Sequence, residues 1–143
     1  MKNTDLIVKL LLSDIADKNI LEVACGCADF SISASRYAQG VSCIDLDDSR
    51  LSGALPNNIH FEKMDATKMN YPSGSFDTII LYNAFSHIYS QWDSIKKECL
   101  RVLKPSGRLY IASTWKLDIS LMNEVFESSV EWQKEFFVAR IEK

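Results

Sequence analysis

Nowhere does the sequence hold an apolar run near the roughly 18 residues that a membrane-spanning helix needs, so no membrane partner is expected. It has no basic excess either. Its 16 Lys and Arg are outnumbered by 19 Asp and Glu, for a net charge of −3 and a pI of about 5.4, which argues against a nucleic-acid-binding face. Lys96, Lys97, Arg101, Lys104 and Arg108 do crowd one stretch, but Asp93 and Glu98 interleave with them, as on a solvated helix face. No C-x-x-C knuckle occurs. Cys25 and Cys27 stand two apart, no second pair follows, and Cys43 and Cys99 fall among apolar residues, so no metal site is expected and the cysteines read as free thiols. Internal repeats and low-complexity tracts are absent. So is the G-x-G-x-x-G of nicotinamide-dependent oxidoreductases, because positions 24, 26 and 29 are Ala, Gly and Asp. The start, Met1-Lys2-Asn3-Thr4-Asp5, is polar, and Lys9 and Asp14 interrupt the apolar residues after it. This is unlike a signal peptide, and the expected compartment is the cytoplasm.

What is present is an ordinary globular composition. The chain has 143 residues, 47% hydrophobic and 24% charged, which fits one domain over residues 1–143 with a real core. Thr4 or Asp5 can cap a first helix carrying Leu6, Leu10 and Ile15 at helical spacing. Short stretches at 20–24, 41–45, 59–63, 76–82 and 108–113 read as strands, those at 41–45 and 76–82 the most apolar. A last strand is expected at 135–141, where Phe136, Phe137, Val138 and Ile141 favour extended structure. Helices are expected at 30–38, capped by Asp29 and closed near Gly40, and at 48–54, broken by Pro56. Two more are expected at 90–103, with Trp92, Ile95, Cys99 and Val102 on one face, and at 119–130. Strands alternating with helices predict right-handed parallel βαβ units, hence an open twisted α/β sheet with helices on both faces. In such sheets ligands sit outside the carboxyl ends of the strands, where strand order reverses. Function is therefore expected in the loops after strands one to four.

The first loop runs from Glu22 to Asp29. Small residues at Ala24, Gly26 and Ala28 let a backbone approach a ligand closely, and Gly26 takes a positive φ without steric cost. Glu22, an acid at the end of a buried strand, can bond loop amides or reach the ligand; the loop reads equally as a plain β-to-α turn. The second loop offers Asp45, about twenty residues after that turn, a position suited to accepting from a ribose diol. Leu46 can lie against a purine face, while Asp45 can also cap a following helix. In the third loop Asp65 can accept from an exocyclic amine while the Ala66 amide donates to a ring nitrogen, or Asp65 can simply cap. The fourth loop, 81–88, holds Asn83, with both donors and acceptors, and His87, a general base or a structural histidine.

The order of these loops resembles the class I S-adenosylmethionine-dependent methyltransferases, in particular the small-molecule type. The matching segments are ILEVACGCADFS, VSCIDLDDSRL, IHFEKMDATKM, SFDTIILYNAFSHI and ECLRVLKPSGRLYIAS, together covering roughly residues 19–113. The resemblance implies a Rossmann-like doubly wound, mostly parallel sheet, with S-adenosylmethionine as cofactor and a small-molecule acceptor. It puts Glu22, Ala24 and Gly26 in the methionine-side turn, Asp45 on the ribose and Leu46 beside the adenine. Asp65 and Ala66 fall on the adenine edge and Asn83 near the methionine moiety; His87 stays the candidate base that its place in the fourth loop suggests. Two departures stand out. Ala24 and Ala28 occupy positions where the family has glycine, and alanine at a positive φ is strained. About thirty residues follow Ser113, which predicts about six strands with the C-terminal part shortened. Both departures leave open a degenerate module that binds the cofactor without catalysis. Nothing in the sequence marks an oligomer interface, although an oligomer could complete an open site.

Overall fold

The computed structural model describes residues 1–51 and 53–143. Its centre is a seven-stranded sheet in the order β3-β2-β1-β4-β5-β7-β6. The strands are β1 (Asn19–Val23), β2 (Gly40–Asp45), β3 (Ile59–Lys63), β4 (Phe76–Tyr82), β5 (Leu103–Ser113), β6 (Val130–Gln133) and β7 (Phe136–Glu142). The first five are parallel; β7 runs antiparallel to both β5 and β6. Strand side chains alternate between two cores. Ile20, Cys43, Ile80 and Tyr110 pack beneath α1 (Asn3–Leu10) and α2 (Asp29–Ser35). Leu21, Ile44, Ile79 and Ile111 pack on the opposite face, against α3 (Phe85–Ile88), α4 (Trp92–Val102) and α5 (Lys116–Phe126). The doubly wound α/β architecture is the expected one. Strand order reverses between β1 and β4, which opens a crevice at their carboxyl ends.

The strand count is seven rather than about six, and the economy lies elsewhere than expected. Helix α5 stops at Phe126, Glu127 turns the chain at φ 51°, and residues 130–133 become β6. Trp132 pairs with Phe137 across the hairpin, ring centroids 5.0 Å apart, an aromatic cross-strand contact that favours the strand over a longer helix. The hairpin turn is Lys134-Glu135, with Lys134 at φ 55°, so the Asn-Gly or Gly signal of such turns is missing. Length is saved in the β2–β3 and β3–β4 connections, which carry no helix among the described residues. The helix expected at 48–54 is a turn in which Asp47 Oδ1 accepts from the Ser49 N–H and Oγ–H; Ser52 lies outside the described residues.

Three local expectations also shift. Gly40 opens β2 instead of closing a helix. The helical run after β4 begins at Phe85 and is interrupted by a 3-10 turn at Tyr89–Gln91 before α4. Strand β5 begins at Leu103, and the next four residues bulge out so that Thr78 pairs with Arg108 directly after Phe76 pairs with Leu103. Ser106 takes the positive φ, 68°, in that bulge. Gly107 serves close approach, since a Cβ there would stand 2.7 Å from Leu103 Cδ1 and 2.9 Å from the Asp77 carbonyl oxygen. Replacing Gly107 with Ala is expected to destabilise the fold by about 1–3 kcal/mol, the usual cost of overpacking against backbone. Urea unfolding checks this, and an unchanged midpoint would contradict it.

Candidate functional site

The turn from β1 into α2 is built on alternating left-handed residues: Ala24 (φ 57°), Gly26 (φ 56°) and Ala28 (φ 64°). The two alanines thus adopt the strained conformation that glycine would relieve. Ala28 is the N-cap of α2 and offers no side-chain acceptor, while Asp29 lies inside the first turn rather than capping it. The missing cap comes from another element. Glu22, at the end of β1 and 2% exposed, accepts from the Ser31 N–H at 3.2 Å and the Ser31 Oγ–H at 2.7 Å. Burial pushes the Glu22 carboxyl up to about 8, against the lowering effect of the Ser31 donors.

Asp45 joins the first two loops. Its Oδ2 accepts from the Gly26 N–H at 2.8 Å and its Oδ1 from the Leu46 N–H at 2.7 Å. Leu46 projects its side chain outward, 72% exposed. After β3, Asp65 Oδ1 accepts from the Thr67 N–H and Oγ1–H, so this acid does cap its own turn. That leaves Oδ2 for another donor, and the Ala66 N–H has no acceptor among the described residues. After β4, Asn83 is left-handed at φ 49°. Its Oδ1 accepts from the Ser113 Oγ–H and the Thr114 N–H. Ser113 and the fully buried Asp118 are hydrogen-bonded through Oγ and Oδ2, and Asp118 Oδ1 accepts from the Ser86 N–H of α3. This chain of bonds knits β4, β5, α3 and α5 together behind the crevice.

Two adjoining cavities open here. The larger, about 440 Å³, includes Glu22, Ala24, Gly26 and Asn83 in its wall. The smaller, about 260 Å³, has apolar walls of Ile44, Leu46, Met64, Ala66, Ile88 and Ile95, with Asp45 and Asp65 at its edges. Ala24, Asn83 and Arg50 border both. Every candidate from the sequence therefore borders one of the two. His87 is on the smaller cavity, exposed, edge-on to Trp115 at 6.0 Å. No side chain or carbonyl among the described residues bonds its imidazole.

Several lining residues escaped the sequence reading. Thr114 and Trp115 follow β5, a strand end that the rule of four loops left out although the same carboxyl-end argument covers it. Tyr82, the last residue of β4, falls within the fourth loop as read from the sequence but was given no role there. Lys2, Asn3 and Thr4 approach from the start of α1 without any local signal. Arg50 lies within the expected helix, yet in the turn that replaces it the guanidinium lies over Gly26, where a Cβ would stand 2.8 Å from Nη1.

A family model described as "Methyltransferase domain" matches residues 21–111. A ubiquinone/menaquinone biosynthesis C-methyltransferase UbiE of Azotobacter vinelandii is 28% identical over 120 residues, covering 76% of this chain and 47% of that protein. The chain thus spans about half the length of this curated relative. Among solved structures, a SAM-dependent methyltransferase from Aquifex aeolicus aligns with TM-score 0.73 at 16% identity, covering 98% of this chain and 89% of that one. The N-methyltransferase NodS of Bradyrhizobium japonicum, solved with S-adenosyl-L-homocysteine, aligns with TM-score 0.67 at 16% identity over 98% of this chain and 85% of its own.

The raised Glu22 carboxyl makes a prediction about stability. Between its ordinary value of 4.5 and about 8, the native state holds a proton that the unfolded chain has released. Stability must therefore fall as pH rises through that window, with a slope approaching ~1.4 kcal/mol per pH unit, and level off above it. Glu22→Gln keeps an acceptor for Ser31 but cannot titrate, so its urea-unfolding stability should lack that slope. Equal slopes in the two proteins would refute the assignment.

Proposed function

The chain belongs to the methyltransferase domain family, and from that premise we propose that it binds S-adenosylmethionine and transfers the methyl group to a small-molecule acceptor. The observation that carries the proposal is the Asp45 carboxylate. Each of its oxygens accepts one N–H, from Gly26 and from Leu46, and each keeps acceptor capacity for one hydroxyl of a ribose diol. The smaller cavity suits a purine, with flat apolar walls and a polar edge. Leu46 and Ile88 cover the ring faces, Asp65 Oδ2 accepts from the exocyclic amine, and the Ala66 N–H donates to the ring nitrogen. The larger cavity takes the amino-acid end, with the left-handed turn at Ala24–Gly26 and the Glu22 carboxyl against it.

When bound, the cofactor supplies a methyl group already made electrophilic by its sulfonium. The protein's task is then alignment, which can account for a large share of the rate. Tyr82, Asn83, Thr114 and Trp115 form the wall on which an acceptor is positioned. The cavity's aromatic rings, and relatives named for quinone methylation, support a small acceptor with a flat ring. His87, at the rim, can take a proton where the acceptor carries one, but no hydrogen bond among the described residues orients its imidazole, so it contributes less than alignment does.

Calorimetry with S-adenosylhomocysteine should give micromolar binding to the wild type. Asp45→Ala should bind at least ~10-fold more weakly, about 1.4 kcal/mol. Absence of wild-type binding would end the cofactor assignment, and unchanged affinity in the variant would end the ribose assignment. For His87→Ala, kcat should fall less than ~10-fold, short of the 10²–10⁴-fold effect of an essential general base. A larger loss would make His87 that base. Binding without transfer to any quinol or other small acceptor would favour the non-catalytic module, a reading that the strained Ala24 and Ala28 also favour.

A further inference from the structure

Asp118, in the first turn of α5, is fully buried, and no cationic side chain pairs with it among the described residues. An acid in a first turn favours the helix start from the solvent side as well, and burying it carries a desolvation penalty that hydrogen bonds must offset. What the inward position adds is contact. Oδ1 accepts from the Ser86 N–H at 2.8 Å, one residue before His87. Oδ2 lies 2.7 Å from Ser113 Oγ. That hydroxyl lies 2.8 Å from Asn83 Oδ1 and accepts from the Trp115 N–H at 3.0 Å. Asn83 borders both cavities, Trp115 the larger and His87 the smaller, and the His87 and Trp115 rings meet edge-on. One carboxyl group, itself in neither cavity wall, thus holds wall residues from the chain after β4 and from the chain after β5. Asn83 depends on such a hold, because it is left-handed at φ 49°.

We propose that Asp118 is a positioning residue for the methyl-transfer site. Through Ser113 and Ser86 it sets Asn83, Trp115 and the His87 turn against one another, and so fixes the wall where the amino-acid end of the cofactor and the acceptor meet. The proposal rests on the cofactor reading given above. The bonding pattern dictates how substitutions act. Ser113 Oγ carries one hydrogen and faces two acceptor oxygens, Asn83 Oδ1 and Asp118 Oδ2. In Asp118→Asn the amide oxygen still accepts from Ser86, Nδ2 donates to Ser113 Oγ, and the hydroxyl hydrogen stays with Asn83. Asp118→Ala loses the links to both Ser86 and Ser113. Ser113→Ala keeps the bond between Asp118 and Ser86 but cuts the links to Asn83 and to the Trp115 N–H.

The test compares two probes by calorimetry on the full chain: S-adenosylhomocysteine, and methylthioadenosine, which has the same nucleoside but no amino-acid end. On the cofactor reading both reach Asp45 and Asp65, and only the first reaches Asn83. Asp118→Ala and Ser113→Ala should bind S-adenosylhomocysteine about tenfold more weakly, with methylthioadenosine affinity changed less than about twofold. Asp118→Asn should match the wild type for both. A merely structural role would move both probes together or neither. Equal losses for the two probes, no loss in Asp118→Ala, or a loss in Asp118→Asn as large as in Asp118→Ala overturns the proposal. Circular dichroism melts check folding, and Ser113→Ala carries the comparison if Asp118→Ala does not fold. A second readout needs no cofactor. An imidazole that gains charge between about pH 8 and pH 5 quenches an indole beside it, so wild-type tryptophan emission should show a step that is lost in His87→Ala and in Trp115→Phe. The step should persist in Asp118→Asn and shrink by at least about half in Asp118→Ala; an equal step in Asp118→Ala, or none in the wild type, counts against Asp118 as the anchor. If the wild type binds neither probe, the cofactor reading fails and the emission step alone decides whether Asp118 holds this wall.

Discussion

The geometry of the crevice depends on a carboxyl group supplied across elements. Glu22 leaves β1 and caps α2 at Ser31, fixing how strand and helix meet. An uncapped helix start leaves backbone donors unsatisfied, and Ala28 offers nothing to meet them. With the two ends pinned, the intervening residues must reverse the chain in little length, and they do so by alternating into the left-handed region. Asp45 then fastens the middle of that turn to β2 through Gly26. One buried acid and one half-buried acid thus set the shape of the surface that faces a ligand.

That shape is held against local preference. A non-glycine residue in the left-handed region costs on the order of 1 kcal/mol, and Ala24 and Ala28 both carry this cost. Glu22 adds its own, since burial opposes its ionised form. Strain and a buried acid are sustained because the sheet around them is packed on both faces, with Ile20, Leu21, Val23 and Ile44 almost wholly removed from solvent. Concentrating unfavourable conformations at one turn, supported by a rigid scaffold, is the usual arrangement at functional sites.

The β2–β3 connection shows how shortening a fold changes its surface. Without a helix there, Arg50 comes down over Gly26 and borders both cavities. A regular helix from residue 48 would have been a reasonable expectation from local pattern. The Asp47–Ser49 turn and Pro56 leave too little length for one, and no local rule predicts where the freed Arg50 side chain then lies.

Much of the scaffold was legible because its signals are local. The runs 59–63 and 76–82 coincide with β3 and β4 residue for residue: Ile59 and Phe61 alternate with polar His60 and Glu62, and Thr78–Tyr82 is a short apolar, β-branched run after turn residues. The acids at 45 and 65 were placed by the rule that ligands gather at strand carboxyl ends, which needs only strand order. What the sequence could not disclose depends on partners distant in the chain. Asp29 looked like the cap of α2, but the cap is Glu22, because only packing decides which acid reaches the Ser31 amide. Strand β6 was hidden because its pairing with β7 is supported by Trp132 against Phe137 rather than by a recognisable turn. The alternating turn of residues 22–29 was readable as a place where backbone meets ligand; that its alanines take positive φ and that Asn83 is spent on Ser113 and Thr114 were decided by tertiary structure. Periodicity and turn chemistry act over a few residues, whereas caps and clamps are set by which elements the sheet brings side by side.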